Sequence, residues 1–376
     1  MGLAVICLLP INRIVYRFIL FIFTYCVLSF MKLNYTPFLL EFKHPFGVSS
    51  NTRKETPTVF LTLESGGWIG YGEACLPAYL GETTEHTIGF FEKARPLLEK
   101  IDSKFELPGL LNKIDLLEQG NNAAKAALDI ALHDLEGKRS GKTVAEMYGF
   151  AQSEARDTSF TIGIDKEEVI IQKLHEASEF SILKIKAGTE DDRKLINLIR
   201  KHTNKPLYVD VNQGWKDKHH VLEMIHWMKE QNVVLVEQPM PVAMRSEMAW
   251  VTQRSPLPII ADESVKRLVD LEKLEGGFSG VNIKLMKCTG IYEAMKMISW
   301  CKKNNFVILL GCMAESSCGT SAMAQLMASA DYIDLDAPLL YKNDPFRGIS
   351  YKNGKIYLNG KPGTGVEPLP ELITIG

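Results

Sequence analysis

The sequence of 376 residues has no long basic run, and its 43 Lys and Arg against 45 Asp and Glu leave a net charge of −2. Nothing electrostatic marks it as a nucleic-acid binder. Its seven cysteines, Cys7, Cys26, Cys75, Cys288, Cys301, Cys312 and Cys318, lack metal-finger spacing. An odd, scattered set suits free thiols in a reducing cytoplasm rather than a disulfide framework. No repeat is visible to support an interaction array. No Gly-rich phosphate fingerprint follows the first strand of the alternating region, which counts against an open doubly wound sheet.

Residues 1–30 stand apart. "FILFIFTYCVLSF", Phe18 to Phe30, is uncharged and apolar, with Arg13 and Arg17 before it. That pattern fits a signal-peptide core or a short anchor. No small-x-small cleavage site follows, and the run is short of the ~20 residues a bilayer span needs. A third reading places the natural start at Met31, in "MKLNYTPFLLEF". The three stay open: cytoplasmic if the chain starts at Met31, exported or membrane-anchored if the segment is real.

From Met31 to about residue 152 the pattern is mixed. "TVFLTLES" and "GGWIGYGEA" read as strand, Gly turn, strand. Helical patterns follow around Glu85 to Glu99 and Asn122 to Gly137. His133 lies alone in the second and reads as a satisfied histidine rather than a ligand. From residue 153 to 340 short apolar strands alternate with amphipathic helices: "SFTIGI", "SILKIKAG", "LYVDVNQ", "VVLVEQP", "PIIADES", "GVNIKLM", "FVILLGC" and "YIDLDAP". Eight such units predict a closed (β/α)₈ barrel of α/β class. The segment 31–152 would cap it, and residues 341–376 would pack back on the cap.

Catalytic groups in such barrels sit where the strands end. Here those ends carry Lys184 and Lys186, Asp210 and Asn212, Glu237, Asp262 and Glu263, Lys284, and Asp334 and Asp336. Asp210, Glu237 and Asp262, on adjacent strands, form an all-oxygen set that favours a hard cation, Mg²⁺ before Mn²⁺. Strands two and six of eight lie opposite each other, so Lys186 and Lys284 would face one another across a substrate. Two bases on opposite faces of one carbon serve a 1,1-proton transfer, with the metal stabilising an enediolate. Lys184, two residues from Lys186, adds a like charge that disfavours a second ammonium; the competing reading makes it a structural lysine bonded to core carboxylates.

The ordered strings "KIK", "DVNQGW", "EQP", "ADES" and "NIKLMKCTGI" resemble the enolase superfamily in its muconate-lactonizing-enzyme subgroup, over essentially everything from Met31 onward. "DLDAP" brings the sequence closest to the dipeptide epimerases. The resemblance implies an isomerase that inverts the α-carbon of the C-terminal residue of L-Ala-L-Xaa dipeptides. It puts the ligands on Asp210, Glu237 and Asp262 and the acid/base pair on Lys186 and Lys284, and it implies that Asp334 and Asp336 bind the substrate's ammonium group. Family members acting on Ala-Glu are expected to carry an arginine in the cap loop after "PF". Asn51 falls there, with Arg53 two residues on, so a small or apolar Xaa is expected. Met313 and Glu315, in "GCMAES", are expected to shape the pocket, Glu315 equally as a structural partner.

Three alternatives remain. One is an L-Ala-D/L-Glu epimerase proper, with Arg53 as the grip. The second is an o-succinylbenzoate synthase, N-succinylamino acid racemase or cycloisomerase, whose substrates lack the free ammonium that Asp334 and Asp336 would meet. The third is a non-catalytic anchored barrel. Assembly as a homo-oligomer stays open.

Overall fold

The computed structural model of the protein describes residues 31–48, 51–101, 105–150, 155–274 and 276–374. The apolar segment of residues 1–30 lies outside them. No helix among the described residues is long and apolar enough to cross a membrane.

The chain first builds a three-stranded antiparallel sheet of β1 (Lys32–Val48), β2 (Asn51–Ser65) and β3 (Trp68–Cys75). Gly66 and Gly67, at φ 59° and 83°, form the two-residue turn joining β2 to β3. A hairpin of this type needs positive φ at both central positions. The hairpin read from the sequence is therefore present. The reading passes over β1, whose alternation is broken by Pro37, Pro45 and a register shift between Glu41 and Phe46.

The sheet lies directly on the helix Asn122–Ser140, which is buried along most of its length. Two glycines permit the approach. A Cβ at Gly70 would sit 2.0 Å from the Ala131 carbonyl oxygen, and one at Gly72 2.0 Å from that of Ala127. His133 is buried in this helix, with Nδ1 2.8 Å from the Asp129 carbonyl oxygen and Nε2 2.7 Å from the Tyr148 hydroxyl. It is a satisfied core histidine, as its isolation implied. The helices Thr84–Leu98 and Leu107–Asp115 complete this layer.

After β4 (Arg156–Asp157) come eight parallel strands paired in chain order. They are β5 (Ser159–Ile162), β6 (Ile182–Lys186), β7 (Leu207–Asp210), β8 (Val233–Glu237), β9 (Ile259–Ala261), β10 (Gly280–Ile283), β11 (Val307–Gly311) and β12 (Tyr332–Asp334). Each matches one of the eight apolar runs. Successive residues of a strand point to opposite sides. Tyr208, Leu235, Ile260 and Leu309 accordingly form a cluster of their own, while Leu183, Ile185, Val209 and Val236 join the main core.

The seam between β12 and β5 is closed by side chains rather than by a ladder of backbone pairs among the described residues. The Ser159 hydroxyl donates to Asp334 Oδ1 at 2.6 Å, and the Thr161 amide donates to Asp336 Oδ2 at 2.5 Å. The Leu335 amide donates to Thr158 Oγ1 at 2.9 Å. Arg156 reaches the Met327 and Ala330 carbonyls, each at 3.0 Å.

Beyond the barrel, β13 (Phe346–Arg347) pairs with β16 (Glu367–Pro368), and β14 (Ser350–Lys352) with β15 (Lys355–Tyr357), which adds to β4. This stretch returns to the first sheet. Phe42 stacks on Tyr341 at 4.7 Å, and the Lys342 amide donates to the Glu41 carbonyl at 3.0 Å. Leu40, Phe60, Phe346, Val366 and Ile373 bury one another there.

Candidate active site

The short run Ile182–Lys186 is buried apart from its first residue, and its alternation separates two kinds of side chain. Leu183 and Ile185 enter the apolar core, while Lys184 and Lys186 turn to the other face. They meet carboxylates at the ends of neighbouring strands. Lys186 closes β6, Asp210 closes β7 and Glu237 closes β8; Asp262 follows β9 and Lys284 follows β10 by one residue.

Lys186 Nζ donates to Asp210 Oδ2 at 2.7 Å, and Lys284 Nζ to Asp262 Oδ2 at 2.7 Å. Lys184 stands among three carboxylates, 2.7 Å from Asp334, 2.7 Å from Glu237 and 3.2 Å from Asp210. Burial works against its charge, yet Asp334, Glu237 and Asp210 hold its ammonium well above the ordinary lysine range. Its charge is therefore locally offset. It is not a bare like charge beside Lys186, and the structural reading of Lys184 is the one the contacts favour.

Ligand atoms of Asp210, Glu237 and Asp262 all lie within 4.8 Å of one another, and all three residues are buried. Their titration is set by neighbours. Burial alone would raise Asp210, but Lys186 and Lys184 hold it below the usual carboxylate range. Burial likewise opposes Asp262, and Lys284 with Lys287 holds it well below. Burial, and then Asp210, push Glu237 up to about 7 even with Lys184 2.7 Å away. A compact, oxygen-only set of this kind fits a magnesium-sized hard cation. Asn282 fixes one side of it, donating to Glu237 Oε1 at 2.7 Å.

Above these groups lies a cavity of about 430 Å³. Lys184, Lys186, Lys284, Asp262, Asp334 and Asp336 line it from the barrel, with Asn212 and Glu263 beside them. Asp336 lies two residues past β12, at the start of a short 3₁₀ turn, so the D-x-D pair straddles a strand end rather than sharing a strand. Asp334 is held below its ordinary value by Lys184, against the effect of burial. Asp336 is pushed up to about 7 by burial and by Asp334. Glu263 rises to about 7 through burial and Asp262, and Asn212 Nδ2 lies 3.4 Å from its Oε1.

Arg53, Tyr79 and Met313 close the cavity from the cap side and from the loop after β11. The Tyr79 hydroxyl touches Met313 Sδ. The Arg53 guanidinium makes no hydrogen bond or ion pair among the described residues. The side chain of Asn51 lies outside what the structure describes. Glu315 is fully buried behind Met313, whose amide donates to its Oε1 at 2.8 Å.

Sequence reasoning missed Lys287. It is buried, lines the cavity and donates to Asp262 Oδ1 at 2.5 Å and to the Asp262 carbonyl at 2.7 Å. The signal was its place three residues after Lys284, one turn away in "NIKLMKCTGI". Tyr79 was missed too, because nothing local in the cap marks it as facing the barrel.

Residues 169–372 match the family described as enolase C-terminal domain-like, and residues 37–149 match the mandelate racemase / muconate lactonizing enzyme, N-terminal domain. An L-Ala-D/L-Glu epimerase of Bacteroides thetaiotaomicron is 46% identical over 337 residues, 89% of this chain and 88% of that protein. Among solved structures, the substrate-liganded L-Ala-D/L-Glu epimerase from Bacillus subtilis superposes with a TM-score of 0.84 at 27% identity, covering 90% of this chain and 98% of that one. The dipeptide epimerase from Enterococcus faecalis, complexed with Mg and L-Leu-L-Tyr, gives 0.84 at 28% identity over 90% and 99%.

Proposed function

The chain belongs to the mandelate racemase / muconate lactonizing enzyme family with its enolase-like C-terminal domain, and on that premise we propose that it is a dipeptide epimerase. Its reaction inverts the α-carbon of the C-terminal residue of L-Ala-L-Xaa dipeptides by 1,1-proton transfer. The observation that carries this is the pairing of Lys186 and Lys284 with carboxylates at strand ends four places apart in the ring of eight.

Asp210, Glu237 and Asp262 would hold magnesium. When bound, it supplies the positive charge that makes an enediolate accessible. Lys186 and Lys284 act as the two bases, one taking the α-proton and the other delivering a proton to the opposite face. Asp334 and Asp336 receive the substrate's α-ammonium. They share a cavity wall with the lysines, and two carboxylates side by side form a cation site. Succinylated substrates would bring no ammonium to Asp336, and Lys184 alone would offset Asp334.

The choice of Xaa turns on the cap. Asn51 motivates a small or apolar side chain. Arg53 favours the second reading, glutamate: it lines the cavity without a partner among the described residues, and guanidinium pairs with carboxylate. The 46% identity to an L-Ala-D/L-Glu epimerase points the same way.

The test is proton exchange in D₂O with Mg²⁺, comparing L-Ala-L-Glu, L-Ala-L-Ala and L-Ala-L-Leu. Deuterium at the C-terminal α-carbon with inversion is expected, most rapidly for L-Ala-L-Glu. Lys186→Met and Lys284→Met should each abolish inversion while leaving exchange on one stereoisomer, because one base survives on one face. Loss of exchange on both isomers in either variant would refute the two-base arrangement. No exchange on any dipeptide with metal bound would refute the substrate class.

A further inference from the structure

Behind the cavity wall two carboxyl groups from different layers converge. Glu73 comes from β3 of the cap and Glu315 from the loop after β11, and both are 0% exposed. Glu73 accepts three hydrogen bonds, from the Ser316 amide at 2.9 Å, the Ser316 hydroxyl at 2.6 Å and the Gly319 amide at 2.8 Å. Glu315 Oε1 accepts from the Met313 amide at 2.8 Å, whereas its Oε2 is buried without a hydrogen-bond partner. A Cβ placed on Gly319 would lie 2.7 Å from Glu315 Oε2 and 3.1 Å from Glu73 Oε2. Both oxygens thus border one small space.

Two buried anions in such a space repel, and a shared proton relieves them. The donors decide which oxygen carries it. Glu73 is fully served as an anion, while the partnerless oxygen of Glu315 is the natural site for an O–H. Lys284 favours the anion on Glu315, and burial outweighs it. The thiols of Cys75, Cys312 and Cys318 and the Tyr341 hydroxyl are all pushed up by burial and stay neutral. Arg53 acts on Cys75 and Tyr341. Burial and Glu315 push Glu73 up to about 8, and burial pushes Glu315 up to about 7. The proton belongs to the pair.

We propose that Glu315 is a positioning residue that shares one proton with the cap carboxylate Glu73 and thereby fixes Met313 and Ala314 in the cavity wall. Loss of that proton sets the two carboxylates against each other, and the wall loosens. The pair does not touch substrate; the dipeptide reading enters only through the choice of assay substrate.

Infrared titration of the full chain, from about pH 6 to about pH 10, tests the shared proton without turnover, since a carboxyl titrating in this range must be strongly shifted. Glu237, Glu263 and Asp336, each pushed up to about 7, contribute to the protonated-carboxyl band in every variant. The wild type should lose one further component at higher pH as the pair ionises, and Glu73→Gln and Glu315→Gln should each lack that component. In parallel, KM for the best dipeptide should rise about tenfold over the same range in the wild type, the equivalent of one pKa unit of coupling. In Glu73→Gln it should change less than about twofold, a tenfold effect being the yardstick. Glu315→Ala should raise KM at every pH, and Glu315→Gln should restore it near neutrality. That component unchanged in both glutamine variants, or the same KM rise in Glu73→Gln, would overturn the proposal. If no dipeptide turns over, the infrared arm still decides it.

Discussion

Lys184 serves as counter-ion to Asp334, Glu237 and Asp210. Removing it leaves buried charge without its partner, a change that typically costs about 3–5 kcal/mol. Lys184→Met should therefore lower stability in urea unfolding by about that much, and by more than Lys186→Met, whose ammonium meets one carboxylate. Asp336 offers a second test. Its value near 7 is set by burial and Asp334, and a substrate ammonium beside it would favour the anion. Dipeptide binding below about pH 7 should release a proton, and binding well above it should release none, because there the group is already ionised. Calorimetry in buffers of different ionisation heat reads this directly. Much of the candidate site was legible at this scale because Lys186, Asp210, Glu237, Asp262 and Lys284 each stand at the end of an apolar run, where a charge has no local reason to be. Tyr79 and Glu73 were not, because their partners come from sequence-distant elements and no periodicity marks them; Lys287 carried only the spacing of one turn after Lys284.

The eight barrel strands were legible because most of the apolar runs are separated by amphipathic helices, and the period switch is visible in sequence. β1 was not, with two prolines and a register shift. Nor were β13 to β16, at two or three residues each, too short for any alternation to show. The β3 contact with the helix Asn122–Ser140 gives a prediction for a pair of elements. Gly70→Ala places a methyl 2.0 Å from the Ala131 carbonyl oxygen, so sheet and helix must move apart. Overpacking of this kind costs about 1–3 kcal/mol. The denaturant midpoint should fall, and Gly81→Ala, in open space at positive φ, should fall less. The side-chain closure of β12 against β5 also places Asp334 and Asp336 in two roles: they complete the ring and they line the cavity.

For the whole molecule, acidity and stability are linked through the cap–barrel boundary. The Glu73–Glu315 pair holds one proton in the fold, burial and Glu315 pushing Glu73 up to about 8 against an ordinary 4.5. A carboxyl raised on folding adds stability that is full below its unfolded value and is lost as pH rises through the folded one. The melting temperature in chelator should fall between about pH 5 and about pH 9, a loss on the order of 2–4 kcal/mol. Glu73→Gln should flatten that slope, and an unchanged slope would assign it elsewhere. The return of the chain from the barrel to the first sheet has a consequence in time. Phe42 emerges from the ribosome early, yet its stacking partner Tyr341 follows only after all eight barrel strands. Domains tend to fold as they emerge, but here the earliest sheet waits for the latest contacts. A nascent chain halted inside the barrel therefore presents Leu40, Phe42 and Phe60 uncovered. That is the surface a chaperone would meet during synthesis, and it disappears in the same step that completes the mouth of the cavity.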